Sequence, residues 1–375
     1  MAASEMACGF RKQGWEVSIF TCATSPPRTQ DEKEGESIIE FGYAGKSPNP
    51  DVELIDSEET YYDLLCDPRW DAVVFHSYEA ALYRAIPHLD RMTCAKILVS
   101  HGYAALLWHW GPKFPYGLVS WIRCFFRSIR MISWMRRFDR IVYLSDEADL
   151  RGFYDHLIAK VTGYKGRRVI PNGVDPLEKG NPQSDFRKKN GIEPGTFVFL
   201  CVANYSTRKD QGYGVRAFRK AGIKNAALVF IGSEFNEHSA RFQREDIAAT
   251  AGDPDPSIIW LEKQTRRETL DALASCDAFL LSANHEAQPI SLLEAMRESK
   301  PWIARKAGCI ESMEGGICVK SEDEMATAIR LLAKDVRLRE RLGHEGSHAV
   351  ATRYNRETYV ESYCKLVEEL RASKV

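Results

Sequence analysis

The chain has 375 residues, of which 44% are hydrophobic and 27% are charged, and its formal net charge is −1. This length exceeds what one compact core usually serves, so we expect two domains. The near-neutral charge excludes a whole-molecule attraction to nucleic acid or membrane, and any such attraction must be local. Ten scattered cysteines without a C-x-x-C pair indicate reduced thiols and, with no evident secretory signal, predict a cytoplasmic protein.

Short strand-like runs alternate with helix-length segments from one end of the chain to the other. The runs are rich in β-branched and aromatic residues and do not alternate with polar ones, as expected of buried parallel strands. The predicted strands are Val17–Thr21, Ala72–His76, Ile97–His101, Arg140–Leu144, Phe197–Ala203, Ala227–Gly232, Ile258–Leu261 and Ala278–Ser282. The helices predicted between and after them include Gln211–Ala221, Arg267–Ser275, Glu322–Leu332 and residues 355–371. This order predicts an α/β doubly wound architecture, present twice.

A basic and aromatic segment interrupts the first half of the chain. Between Arg91 and Phe138 there is no Asp or Glu, and within residues 114–138 a helical pattern places arginines opposite apolar side chains. Such a helix can lie on an anionic membrane, and the predicted contacts are Arg123, Arg127, Arg130 and Trp121. The alternative is a helix that packs its apolar face on the sheet and leaves its arginines in water.

The segment HEAQPISLLEAM at residues 285–296 carries two glutamates eight positions apart, Glu286 and Glu294. It follows an apolar run, so it reads as strand, loop and helix, with Pro289 in the first helical turn. The backbone amides of Ile290, Ser291 and Leu292 are then free donors at the positive end of the helix, a site that suits a diphosphate. The alternative is an ordinary strand–helix unit with two solvated glutamates.

Other candidate groups follow predicted strands. Lys209 comes after a short polar loop, Asn204–Arg208, where an ammonium group can reach a diphosphate as a point charge. His101 ends a strand and His76 ends another, and a histidine at a strand's carboxyl end faces the ligand-binding side of an α/β sheet. The alternatives are a solvated loop and a structurally satisfied histidine.

A short motif near the end of the chain points to different chemistry. His344-Glu345-Gly346-Ser347-His348 spells H-E-x-x-H, in which two histidines one helical turn apart hold zinc in peptidases. Charged surroundings, a mid-helix glycine and the absence of the extended metzincin pattern disfavour a metal site here. We therefore predict no metal.

Taken together, five segments resemble the retaining, nucleotide-sugar-dependent glycosyltransferases of the GT-B fold, in the large family numbered four. The resemblance covers nearly the whole chain and lies in the order of the segments. They are GWEVSIFT at 14–21, ILVSHG at 97–102, RVIPNGVD at 168–175, FLCVANYSTRKDQ at 199–211, and the E-x7-E stretch at 285–296.

This resemblance implies two Rossmann-like domains facing a cleft, at residues 1–175 and 195–350, joined by a linker at 176–194. Residues 351–375 would form a helix returning toward the first domain. In the family a first strand and a Gly-rich loop precede the helix that begins here near Ala3, so this strand is expected to be missing from the chain as written.

The resemblance also implies roles for the candidate residues. Glu294 would hold the ribose hydroxyls, and Glu286 would lie near the transferred sugar in an electrostatic and positioning role. His101 would hydrogen-bond the donor sugar, and Lys209 would stabilise the leaving diphosphate. At Asn204 the family usually has an arginine, and neighbouring Arg208 is the candidate substitute.

The expected function is metal-independent, cofactor-free transfer of a sugar, with retention, from a nucleotide-diphosphate donor to a saccharide acceptor. The acceptor would be lipid-linked or a polysaccharide precursor at the cytosolic face of a membrane, and no nucleic-acid partner is expected. The alternatives are a catalytically silent GT-B-like binding subunit and, from His344 and His348, a zinc peptidase.

Overall fold

The computed structural model describes residues 2–23, 37–42, 58–78, 80–103, 116–148, 153–249 and 257–373. The chain divides into two compact units. Unit 1 comprises Met1–Asn172 together with Glu357–Val375, and unit 2 comprises Gly173–Arg356.

The described part of unit 1 contains two parallel sheets. Strands β1 and β2 pair with one another, and β3 to β6 form a four-stranded sheet in the order β3-β4-β5-β6. The strands are β1 Ser18–Ala23, β2 Ser37–Gly42, β3 Ala72–His76, β4 Ala95–Ser100, β5 Arg140–Tyr143 and β6 Arg167–Val169. The helices are α1 Ala2–Lys12, α2 Glu58–Leu65, α3 Ala80–Ala85, α4 Tyr116–Met135 and α5 Tyr154–Val161, with a 3₁₀ helix at Ile86–Arg91.

Helices cover both faces of the four-stranded sheet, because its strands bury side chains on alternate sides. Ile97 and Val99 of β4 join one apolar cluster, whereas Leu98 between them joins the other. The first cluster also contains α1 and the last helix of the chain, α13 at Arg356–Ala372. Gly9 of α1 lies so close to Val360 of α13 that a Cβ at that position would overlap its methyl groups.

Unit 2 is built on one six-stranded parallel sheet in the order β12-β11-β10-β7-β8-β9. Its strands are β7 Phe197–Val202, β8 Ala226–Gly232, β9 Ile258–Glu262, β10 Ala278–Leu281, β11 Trp302–Arg305 and β12 Gly316–Val319. Its helices are α6 Phe186–Lys189, α7 Gln211–Ala221, α8 Glu237–Ala249, α9 Arg266–Ser275, α10 Ile290–Arg297, α11 Glu322–Lys334 and α12 Val336–Thr352, with a 3₁₀ helix at Ile310–Ser312.

The strand order of unit 2 reverses direction between β7 and β10. In doubly wound sheets a ligand binds beyond the carboxyl ends of the strands at such a switch point. The loops after β7 and β10 carry Lys209 and Glu286, respectively. The fold of unit 2 therefore brings together two candidate residues that lie 77 positions apart in the sequence.

Candidate donor site

The loop after β7 is fastened to the end of β10 by hydrogen bonds. The Ser282 hydroxyl donates to the Lys209 carbonyl at 2.9 Å, and the Asn284 amide donates to the Arg208 carbonyl at 2.9 Å. Because these bonds use the backbone of the loop, the side chains of Arg208 and Lys209 remain available for other contacts. The backbone of the loop is therefore fixed in place before a ligand binds, and it holds the Lys209 side chain in position.

Lys209 and Glu286 form an ion pair at the switch point. The Lys209 ammonium donates to Glu286 Oε1, and the two side chains are 25% and 9% exposed. Burial raises the pKa of the adjacent Cys201 thiol to about 12, and the Lys209 charge opposes that effect. The pair places a cation that can meet a phosphate beside a carboxylate that can accept a hydroxyl bond.

The loop that carries Glu286 is supported from behind by the segment after β11. Gly308 adopts a left-handed backbone with φ of 52°, and a Cβ there would overlap the carbonyl oxygens of Glu286 and Ala287. The Cys309 amide donates to the Ala287 carbonyl at 3.0 Å. A glycine is therefore required at position 308 to hold the Glu286 loop in place.

The start of α10 corrects two expectations. Pro289 is the N-cap residue and not a first-turn residue, because its extended ψ of 122° puts the first helical position at Ile290. The Leu292 amide is not free, since it donates to the Pro289 carbonyl at 3.2 Å. Among the described residues, the amides of Ile290 and Ser291 have no such acceptor, so they remain the anion-binding donors of this helix.

Glu294 lies on α10 with a side chain only 6% exposed, and it is paired with an arginine that the sequence did not single out. Arg266 donates to Glu294 at 2.5 Å through Nη1 and to both oxygens of Glu178 at 2.7 and 3.1 Å. Burial opposes the charge on Arg266, but the two carboxylates outweigh it and raise the guanidinium pKa. The hydrogen bond from Arg266 lowers the pKa of Glu178.

A second arginine that was not anticipated supports the same cluster. Arg297 has a side chain only 1% exposed, and its Nη1 lies 3.3 Å from the Asp175 carbonyl and 3.4 Å from Glu178. Glu178 and Asp175 come from the segment before α6, far from α10 in the sequence. The sequence signal that could have placed Arg266 is the capping box of Thr265 and Glu268, which marks Arg266 as the first residue of α9.

Asn204 and Arg208, the other two candidate residues in the loop after β7, have exposed side chains. The Asn204 carbonyl accepts a bond from Gln211 at 3.0 Å, and neither the Asn204 nor the Arg208 side chain is drawn into the core. Whether Arg208 takes the place of the usual arginine stays a prediction.

In unit 1, His76 is the last residue of β3, and it contacts His101, which directly follows β4. His76 Nδ1 and His101 Nε2 are 3.2 Å apart, and the rings are stacked. Burial, with a contribution from His101, lowers the pKa of His76 to about 3, and burial also lowers the pKa of His101. Both rings are therefore neutral at physiological pH, and one donates to the other. The donor-sugar contact of His101 stays a prediction.

A fully buried carboxyl group bonds residues that lie within two positions of these histidines in the sequence, and the sequence did not reveal it. Asp155 accepts a 2.5 Å hydrogen bond from the Tyr78 hydroxyl and one from Ser100, and burial raises the Asp155 pKa. The Ser100 hydroxyl in turn accepts the Gly102 amide at 3.2 Å. Asp155 therefore helps to fix the turn that carries His101.

The predicted membrane-contact helix is α4. Arg130 is exposed, whereas the side chains of Trp121, Arg123 and Arg127 lie outside the described ones. Four apolar residues of that helix have exposed fractions of 43–64% and are therefore not packed on the sheet, and the membrane contact itself stays a prediction. They are Ile122, Phe125, Phe126 and Ile129. In the described part of the chain, no helix is both long and apolar enough to cross a membrane.

The H-E-x-x-H motif lies on α12, with the rings of His344 and His348 6.5 Å apart. Glu345 pairs with Arg341 at 3.0 Å. The mid-helix glycine is explained by packing, since a Cβ at Gly346 would press on Met296 of α10. Over the residues that the structure describes, no three His, Cys, Asp or Glu side chains are grouped so as to hold a metal ion.

Comparison with known proteins agrees with the fold. The family described as glycosyl transferases group 1 matches residues 182–349. No curated protein matches the chain. Sucrose-phosphate synthase from Thermosynechococcus elongatus has 15% identity and a TM-score of 0.76, with 99% of this chain and 93% of that one covered.

Two further solved structures are similar over nearly their whole lengths. Anabaena HepE in complex with UDP-glucose has 13% identity and a TM-score of 0.67, covering 95% of this chain and 100% of that one. WaaG, a glycosyltransferase involved in lipopolysaccharide biosynthesis, has 18% identity and a TM-score of 0.67, covering 98% and 95%. At these identities the similarity establishes the fold. Residues 182–349 therefore match the family described as glycosyl transferases group 1, and the chain has the GT-B fold.

Proposed function

We propose that the protein transfers a hexose from a nucleotide-diphosphate donor to a saccharide acceptor, with retention and without a metal ion or cofactor. The observation that carries this proposal is the Lys209–Glu286 pair at the switch point of unit 2, with Glu294 on the helix that follows. The pair lies inside the segment that matches the glycosyltransferase family. The HepE complex with UDP-glucose supports a nucleotide sugar as the donor class.

In this proposal the donor diphosphate lies against Lys209 and the free amides of Ile290 and Ser291. Negative charge grows on the leaving diphosphate as the glycosidic bond to it breaks, so a fixed ammonium and a helix N-terminus stabilise the transition state more than the ground state. Lys209 must then exchange Glu286 for phosphate oxygens. That exchange would free the Glu286 carboxylate to position the transferred sugar.

Glu294 is proposed to hold the ribose hydroxyls. Its present partner, Arg266, contacts Glu294 through one nitrogen and Glu178 through two others. Arg266 can therefore keep its bidentate contact with Glu178 while Glu294 turns toward a ribose. A charge-assisted bond from a hydroxyl to a carboxylate is stronger than a neutral one.

The acceptor is proposed to be a saccharide on a lipid carrier or a polysaccharide precursor, met at the cytosolic face of a membrane. WaaG, which acts in lipopolysaccharide biosynthesis, is similar over almost its whole length. The exposed apolar residues of α4 and the exposed Arg130 give unit 1 a surface suited to an anionic bilayer.

One observation favours a second candidate, a catalytically silent subunit that binds a nucleotide sugar. Asn204 occupies the position where the resembled family has an arginine, which removes one cation from the diphosphate site. A zinc peptidase is not supported, because the described residues hold no group of three metal-binding side chains.

A donor panel separates these candidates. Nucleoside diphosphate release is measured for UDP-, GDP- and ADP-sugars, with and without a polyprenyl-linked saccharide, in excess chelator. The proposal predicts acceptor-dependent release from one donor class and its loss in Lys209→Ala. Binding of one donor without release under any condition would favour the silent subunit, and failure of all donors to bind would refute both.

A further inference from the structure

Helix α4 exposes a continuous stripe of large apolar side chains. The exposed fractions are 43% for Ile122, 52% for Phe125, 64% for Phe126 and 49% for Ile129. Spacings of three and four residues put all of them on one side of the helix. Contiguous apolar patches of this kind mark a site of interaction with a membrane or partner. We refer to these four residues as the α4 ridge.

The ridge belongs to a firmly held helix. Met131, Trp134 and Met135, on the opposite side of α4, are all at most 4% exposed and pack in the core of unit 1. The helix is therefore anchored to the core of unit 1 by the face opposite the ridge. The ridge itself faces away from that core.

A basic groove of about 580 Å³ lies at the end of the same helix. Its cationic side chains are Arg136, Arg140, Lys165 and Arg168. Its one carboxylate, Asp139, already accepts the Lys96 amide at 2.7 Å and faces the Lys96 ammonium at 3.7 Å. Arg168 has a weak outward contact with Glu369 at 3.7 Å. The groove therefore has an excess of positive charge.

The ridge and the groove adjoin one another. Arg136 directly follows Met135, the last residue of α4, and lines the groove, so the groove begins where the helix that carries the ridge ends. Arg140 is the first residue of β5, and Lys165 lies in the segment just before β6, in which Arg168 is the second residue. The groove is thus at the opposite edge of the sheet from His76 and His101, and it is separate from the candidate chemistry.

We propose that the α4 ridge and the basic groove together bind an anionic phospholipid bilayer, with a lipid phosphate held in the groove. The ridge would enter the boundary between headgroups and acyl chains, and the guanidinium groups would bond phosphate oxygens. A symmetric contact with a second copy is disfavoured, because it would place one basic groove against another. The inference rests on the proposed function only in supposing a lipid-linked acceptor.

Vesicle flotation with purified full-length protein tests this. Vesicles contain phosphatidylcholine alone or with about one third phosphatidylglycerol. The groove variant is Arg136→Gln/Lys165→Gln/Arg168→Gln, and the ridge variant is Phe125→Ser/Phe126→Ser. A matched control, Lys224→Gln/Lys334→Gln/Arg337→Gln, removes the same charge from exposed positions of unit 2.

The parent protein should prefer anionic vesicles, and about 0.5 M salt should weaken this preference by screening. Each basic group near such a surface contributes on the order of 1 kcal/mol, so the groove variant should bind roughly a hundredfold more weakly. The control should change less than about threefold. The ridge variant should bind both kinds of vesicle more weakly.

Equal binding of the groove variant and the parent would overturn the proposal. Binding of inorganic phosphate to the groove without any binding of the protein to vesicles would also overturn it, because that result would indicate a site for free phosphate. Because all three groove substitutions remove side chains that are exposed, circular dichroism is expected to show an unchanged fold. Vesicle binding needs no donor, so its failure is distinguishable from failure of the proposed transfer.

Discussion

Replacing Lys209 with Met should destabilise unit 2 specifically, because it leaves the Glu286 carboxylate buried without its cation. The Glu286 side chain is only 9% exposed, while Lys209 is 25% exposed. Breaking a buried ion pair by removing one partner costs 3–5 kcal/mol, and partial access of water at Lys209 favours the lower end, about 3 kcal/mol. At about 1.4 kcal/mol per factor of ten, the opening equilibrium should rise roughly a hundredfold.

Native-state hydrogen exchange is the appropriate assay, because it reports the opening of unit 2 separately from unit 1. Amides of β10 and α7 should lose protection in Lys209→Met and recover most of it in Lys209→Met/Glu286→Gln. Lys320→Met is the matched control, since Lys320 is 65% exposed and lies 3.7 Å from Glu311. This control should lower the free energy of unfolding of unit 2 by no more than about 1 kcal/mol. Unchanged protection in Lys209→Met would refute the reasoning that the pair is buried and mutually required.

Three further results are expected. Glu294→Gln should weaken nucleotide binding by about 1.5–3 kcal/mol, measured by calorimetry, because a charge-assisted bond to ribose is lost; an unchanged affinity would contradict the ribose assignment. Activity should survive excess chelator, and elemental analysis should find no stoichiometric zinc, whereas one zinc per chain lost in His344→Ala would support a peptidase. The folded-state pKa of His76, about 3, lies below the unfolded value of about 6.5. The neutral, buried His76 therefore contributes fully to the free energy of unfolding above pH 6.5, and this contribution is lost as the pH falls toward 3. Unit 1 should therefore be about 2 kcal/mol less stable at pH 5 than at pH 8, and His76→Asn should flatten that dependence.

The buried strands were predictable because they are short runs made almost entirely of apolar, β-branched and aromatic residues. Ala72–His76 matches the predicted strand at both ends, as does the helix Gln211–Ala221. Trp302–Arg305 and Gly316–Val319 were missed, since four-residue strands near a sheet edge carry too little pattern to distinguish them from loops.

The candidate site was predictable only where its residues follow strands along the chain. Lys209 and Glu286 are adjacent because they follow the two strands at the switch point, which strand order alone anticipates. Arg266 was missed because its partner Glu178 lies 88 positions away, and nothing in the spacing of charged residues links them.

The orientation of α4 shows a different limit. The sequence pattern revealed an amphipathic helix, but periodicity cannot tell which of two apolar surfaces is buried. The core takes Met131, Trp134 and Met135, which leaves Phe125 and Phe126 exposed. The outcome depends on how the helix is placed on the sheet, which is a tertiary property.

The most direct test of the central claim is a calorimetric titration of full-length protein with UDP, GDP and ADP in excess chelator. A nucleotide-sugar site built on Lys209, Glu286 and Glu294 predicts one binding site per chain for one of these diphosphates, with affinity sharply reduced in Lys209→Ala and in Glu294→Gln. Absence of binding by all three nucleotides, or equal affinity in the parent and both variants, would contradict it.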